Sequence, residues 1–123
     1  MNEEINETWS EKALALAQAP VNLGEMKDHD GVSLVRGPCG DRMAIWIKLE
    51  GRVIDEISFL TDGCGATLAA GSAVTELARG CTAFKARSIT PQAVIAFCEG
   101  LPASHTHCAF LAVQTLNKAL DSL

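Results

Sequence analysis

Three of the chain's five cysteines lie at expected chain reversals, and each has a glycine or a potential metal ligand beside it. They are Cys39 in P-C-G-D, Cys64 in D-G-C-G-A and Cys108 in H-T-H-C. No C-x-x-C pair is present, which excludes a zinc ribbon or finger and a thioredoxin-type redox motif. Three scattered thiolates with a carboxylate or an imidazole make a four-donor set, which suits tetrahedral Zn²⁺ or an iron–sulfur cluster.

Oxygen and nitrogen donors accompany these thiols. Asp41 follows Cys39 with one glycine between them, so both side chains can face the same way in an extended or turn backbone and converge on one ion. His107 directly precedes Cys108 and can bind a metal or move a proton. His105 is a third candidate donor. At each position a structural role, such as a tight turn or a surface histidine, is the alternative.

The expected helix positions of the cysteines bear on their reactivity. Cys64 lies at or just before the start of a predicted helix, where the helix dipole favours a thiolate. Cys108 lies in the first turn of the last predicted helix, so lowered thiol pKa values are expected at both positions. Because Cys108 also falls on an apolar stripe, a buried core thiol is its alternative. Cys98 ends an apolar helix face and is expected in the core, and Cys81 has no neighbour that suggests a site.

Hydrophobic spacing predicts an α+β domain. A first helix is expected from Glu3 to Ala19, before Pro20, and Ser104 is a candidate N-cap of the last helix. The remaining elements are strands at 43–50 and 53–60 with a further one at 32–35, and helices at 66–79, 91–98 and from about 104 onward.

Composition and charge bound the function. The 123 residues form one domain, 1–123, whose N-terminal helix within residues 1–20 could be mobile. A net charge of −5 argues against nucleic-acid binding, and no apolar run approaches the length of about 18 residues that a membrane span needs. The acidic N-terminus lacks an apolar signal core, so we expect a cytoplasmic protein whose cysteines stay reduced.

The three cysteine motifs, in this order, resemble the IscU family of iron–sulfur cluster assembly scaffolds, which also forms the N-terminal domain of NifU. W-S-E-K-A-L near the start and V-T-E-L-A-R-G in the small-residue helix extend the resemblance over nearly the whole chain. The resemblance implies a small antiparallel three-stranded β-sheet packed against about four to five α-helices.

The resemblance also implies a carrier rather than an enzyme. Cys39, Cys64 and Cys108 would hold a transient [2Fe–2S] cluster, with Asp41 or His107 as the fourth ligand. Zn²⁺ or Fe²⁺ would occupy the same donors in the apo scaffold. Sulfur would come as a persulfide from a cysteine desulfurase of the IscS/NifS kind, with Cys108 as the candidate acceptor, and the cluster would pass to apo iron–sulfur proteins.

Departures from the family pattern keep some expectations open. The family's L-P-P-V-K, where an Hsp70-type chaperone binds, reads L-P-A-S-H here, which puts that partner in doubt and places His105 where the family has lysine. The extra segment of SufU proteins is missing, which disfavours a SufU-like, zinc-dependent sulfur-transfer role. A structural zinc domain and a plain α+β binding module are further alternatives, and homodimer formation is not decided.

Overall fold

A three-stranded antiparallel sheet in the order β1-β2-β3 confirms the α+β prediction. The structure, a computed structural model, describes residues 8–123. Its elements in chain order are α1 (Glu11–Gln18), β1 (Gly31–Arg36), β2 (Arg42–Glu50), β3 (Val53–Thr61), α2 (Gly65–Ala78), α3 (Ala83–Ala86), α4 (Pro91–Phe97), a 3₁₀ turn (Ala103–His105) and α5 (His107–Asp121). None of the helices in this range is long and apolar enough to cross a membrane.

One face of the sheet supplies most of the core. Alternate side chains bury Met43, Ile45 and Ile47 on β2, as the period of two predicts, and Ile57 and Phe59 on β3. The pairing of the two strands is continuous from Met43↔Thr61 to Lys48↔Glu56 and shifts register after that point. The helices α2 and α5 pack on this face. Their starts lie close together, because the ligand atoms of Cys64 and Cys108 are within 4.8 Å of each other.

The small residues of α2 let it approach the sheet closely. Of its 14 residues, ten are buried. At Gly71 a Cβ atom would collide with the ring of Phe59, so the ring occupies the space that any side chain there would need. The helix ends at Ala78, and Gly80, which follows the C-cap residue Arg79, has a φ of +83° that suits glycine.

The outer edge of β3 is covered by two segments outside the named strands. Residues 22–24 exchange two backbone hydrogen bonds with Phe59, both of 2.9 Å. Residues 80–81 exchange two with Ile54, both of 2.8 Å. The edge is therefore paired near each end of the strand.

The first helix is shorter than predicted. It begins at Glu11, because Ser10 acts as its N-cap and accepts a hydrogen bond from the Ala13 amide. Thr8 to Ser10 are not helical, and the earlier part of the predicted helix lies outside the described residues. The Ser10 hydroxyl also donates to the carbonyl of Cys98, which ties the start of α1 to the end of α4.

The start of the last helix also differs from the prediction. Ser104 is not its cap, because Pro102 leads into a 3₁₀ turn that contains Ser104, and α5 begins at His107 after Thr106. Helix α4 begins at Pro91 as predicted, after Thr90, whose hydroxyl accepts a hydrogen bond from the Ala93 amide. The short helix α3 was not predicted.

Candidate metal centre

Three chain segments meet at the end of the sheet where β2 begins and β3 ends. These are the β1–β2 loop, the junction between β3 and α2, and the 3₁₀ turn that leads into α5. Asp62 joins the β1–β2 loop to the β3–α2 junction. Its carboxylate accepts hydrogen bonds from the backbone amide of Arg42 at 2.7 Å and from the Arg42 Nε at 2.8 Å. This clamp holds the two loops together close to Asp41, which precedes Arg42, and to Cys64, which lies two residues after Asp62.

Two of the three predicted cysteines come together with a histidine. The ligand atoms of Cys64, His105 and Cys108 all lie within 4.8 Å of one another. The Cys64 Sγ lies 4.0 Å from Nδ1 of His105. Cys64 is the N-cap residue of α2, as predicted, and makes no side-chain capping bond, so its sulfur is free for other contacts. We call these three residues the donor triad.

Thr67, one turn into α2, links the triad to Asp41. Its Oγ1 donates a hydrogen bond to Oδ2 of Asp41 at 3.1 Å and lies 3.4 Å from the Cys108 sulfur and 3.7 Å from the Cys64 sulfur. Because a hydroxyl carries one proton, and that proton goes to the carboxylate, the sulfur contacts fall on the threonine oxygen. Thr67 was not among the predicted site residues. Its position three residues after Cys64, at the start of a predicted helix, indicates that the two side chains share one face.

The other predicted ligands lie beside the triad rather than in it. Cys39 is exposed in the β1–β2 loop, which is closed by a 2.7 Å bond from the Gly37 amide to the Asp41 carbonyl. Asp41 reaches the triad through Thr67. His107 has its Nε2 3.8 Å from the Cys108 sulfur but is not among the atoms that all lie within 4.8 Å of one another.

His105 is held by its local backbone and by two rings. Its amide donates to the Pro102 carbonyl at 2.8 Å, which closes the 3₁₀ turn. Its imidazole lies 6.3 Å from the Trp9 ring and 6.2 Å from the His107 ring, centroid to centroid. His105 is half-buried, so the description of it as an ordinary surface histidine does not fit the structure.

The expectation of a lowered thiol pKa is wrong for Cys108. Its side chain is fully buried, and burial raises its pKa to about 11, with the neighbouring Cys64 and Asp41 adding to the effect. Cys98 is also fully buried, as predicted for a core residue, and burial raises its pKa to about 11. Cys98 lies apart from the triad, with its sulfur 3.7 Å from the Ala69 carbonyl.

Comparisons with known proteins agree with the fold and the motifs. IscU 1 of Archaeoglobus fulgidus, an iron–sulfur cluster assembly scaffold protein, is 42% identical over 91% of this chain and 74% of its own. The scaffold protein IscU of Buchnera aphidicola subsp. Schizaphis graminum is 33% identical over 92% of this chain and 91% of its own. A solved structure from Fervidobacterium islandicum, described as a cluster assembly scaffold for the SUF system, has a TM-score of 0.76 at 18% identity over 98% of this chain and 99% of its own, a likeness of fold alone. The NifU-like N-terminal domain family matches residues 8–123, and the chain belongs to that family.

Proposed function

We propose that this protein is an iron–sulfur cluster assembly scaffold, a carrier that builds a cluster as cargo and passes it on. One observation carries the proposal: the thiols of Cys64 and Cys108, 44 positions apart in the chain, lie beside an imidazole at one end of the sheet. Membership of the NifU-like family and the scaffold names of its relatives support the same function. Soft thiolate donors are the ligands that iron–sulfur clusters use.

The cargo we propose is a transient [2Fe–2S] cluster. Cys64 and Cys108 supply two thiolates from helix starts, and Cys39 supplies a third from an exposed loop. Loops move more readily than helices, so the Cys39 loop can open to admit iron and close on the cluster. Asp41 or His107 completes the set. Before assembly, Zn²⁺ or Fe²⁺ binds at the same end of the sheet.

Asp41 suits a scaffold that must release what it builds. A hard carboxylate holds a cluster iron less firmly than a thiolate, and this carboxylate is shared with the Thr67 hydroxyl. We therefore expect Asp41→Ala to lengthen the lifetime of the cluster when a histidine takes over ligation. An unchanged rate of transfer to an apo-ferredoxin would count against this role.

Sulfur delivery requires a partner, for which we propose a cysteine desulfurase. The terminal sulfur of the desulfurase persulfide moves to a scaffold thiolate, which forms a new S–S bond and regenerates the desulfurase thiolate, so this step needs no external oxidant. Cys108 is the proposed acceptor. Because it is fully buried and its pKa is raised to about 11, the H-T-H-C segment must open before it can react.

Anaerobic reconstitution tests the function directly. Metal-free protein with Fe²⁺, cysteine and a cysteine desulfurase should develop visible charge-transfer absorption, which then appears on an added apo-ferredoxin. Cys64→Ser should abolish the absorption, whereas Cys98→Ser, at a buried thiol away from the triad, should retain it. A colourless wild-type protein that relays sulfur while keeping Zn²⁺ would instead establish the zinc-dependent sulfur-transfer alternative.

A further inference from the structure

We propose that Cys64, Cys108 and Nδ1 of His105 form a binding site for a single divalent metal ion, with His105 rather than His107 as the nitrogen ligand. The site would load the first Fe²⁺ before sulfur arrives, and this role rests on the proposed scaffold function. Metal binding itself does not, because it follows from the three side chains and their spacing.

The observed separations lie close to those of a metal-bound set. Tetrahedral Zn²⁺ with Zn–S of about 2.3 Å and Zn–N of about 2.05 Å places its donors roughly 3.6 Å (S to N) to 3.8 Å (S to S) apart. The Cys64 sulfur and His105 Nδ1 are 4.0 Å apart. All three donor atoms lie within 4.8 Å of one another. Closing the set around an ion therefore takes shifts of about 1 Å or less, within the range of side-chain movement.

His105 meets the requirements of the nitrogen ligand better than its neighbour. Its Nδ1 faces the Cys64 sulfur, so Nε2 can keep the proton of the neutral tautomer that metals bind. The Trp9 ring beside it and the closed 3₁₀ turn limit where the imidazole can go. Of the two triad sulfurs, His107 contacts only that of Cys108 among the contacts of the described residues. It would have to move further to share an ion with Cys64.

Charge balance supports an ion at this place. A buried thiolate is unfavourable without a positive partner. Two thiolates and a neutral imidazole around a divalent cation give a neutral complex, which fits the burial of Cys108. Among the described residues, Cys39 and Asp41 are not in the group of donors that lie within 4.8 Å of one another, which leaves the fourth position of a tetrahedral ion to water.

Titration with Co²⁺, a spectroscopic substitute for Zn²⁺ and Fe²⁺, tests the site in the metal-free full chain. We expect one equivalent to bind with thiolate charge-transfer absorption and the intense visible bands of tetrahedral Co²⁺. His105→Ala should weaken binding more than tenfold, since losing even an outer-shell partner costs about 10–100-fold. The matched variant His107→Ala should change affinity less than threefold. The reverse order of the two effects would overturn the assignment.

A measurement on the unaltered protein removes any dependence on how the variants fold. In ¹⁵N-labelled protein, adding Zn²⁺ should shift the Nδ1 resonance of His105, and that nitrogen should no longer take up a proton. The resonances of the His107 nitrogens should change little. Unchanged His105 resonances at full Zn²⁺ occupancy would refute the site. The scaffold function is judged separately by cluster reconstitution, so a protein that binds Co²⁺ as expected but forms no cluster would refute the scaffold and support the metal site.

Discussion

Binding of Co²⁺ to the donor triad should tighten about 100-fold for each pH unit between pH 7 and 8. Cys64 and Cys108 each have to lose a proton on binding, because the thiolate is the form that binds a metal. Burial raises the pKa of Cys108 from 9.0 to about 11. At 1.36 kcal/mol per pH unit, ionising this thiol costs about 3 kcal/mol more than ionising an ordinary one, which the metal must offset.

The assay is Co²⁺ affinity measured at several pH values, with the logarithm of the association constant plotted against pH. The wild type should give a slope of about two, one proton from each thiol. Cys108→Ala should lower the slope to about one. Cys98→Ala, which removes an equally buried thiol with its pKa also raised to about 11, should leave it at about two. A slope that Cys108→Ala leaves unchanged would show that Cys108 releases no proton on binding and would refute the reasoning.

Three further predictions concern the folded chain. Gly71→Ala should lower the free energy of unfolding by about 1–3 kcal/mol in urea titrations, because the new methyl group collides with Phe59; an unchanged midpoint would contradict that packing. Thr67→Val should cost about 1–2 kcal/mol in the same assay by removing the hydroxyl that donates to Asp41, whereas Thr67→Ser should cost less; equal losses would contradict a role for the hydroxyl. The metal-free protein should lose about 2 kcal/mol of stability through Cys98 as the pH rises from about 9 to about 11, because burial raises the native pKa of that thiol to about 11 and the unfolded chain loses the proton first. Cys98→Ala should reduce the pH dependence over that range without abolishing it, because burial raises the pKa of Cys108 to about 11 as well, and an unchanged slope would refute the prediction.

Local patterns were sufficient to predict the sheet and most helices. The alternation in M-A-I-W-I-K-L-E predicts which face of β2 is buried, because side chains of a strand alternate between its two sides. The glycines around Cys64 and the following run of small residues predict the strand-to-helix junction and its close packing. Thr90 and Pro91 predict the start of α4, because N-cap and N1 preferences act within one helical turn.

Features that depend on tertiary contacts were harder to predict. Whether a first helix begins at Glu3 or Glu11 depends on Ser10, whose hydroxyl is bonded to a carbonyl 88 residues away. The 3₁₀ turn at Ala103–His105 lies just before His107, and Nδ1 of His105 is 4.0 Å from the Cys64 sulfur, but the letters H-T-H-C do not reveal that turn. The raised pKa of Cys108 arises from burial, which overrides the effect of its position near a helix start.

The segments that cover the outer edge of β3 limit how other proteins can dock. With residues 22–24 bonded to Phe59 and residues 80–81 bonded to Ile54, the outward backbone groups near both ends of β3 are already in use. A long strand from another protein therefore cannot pair along the whole of this edge without displacing these segments.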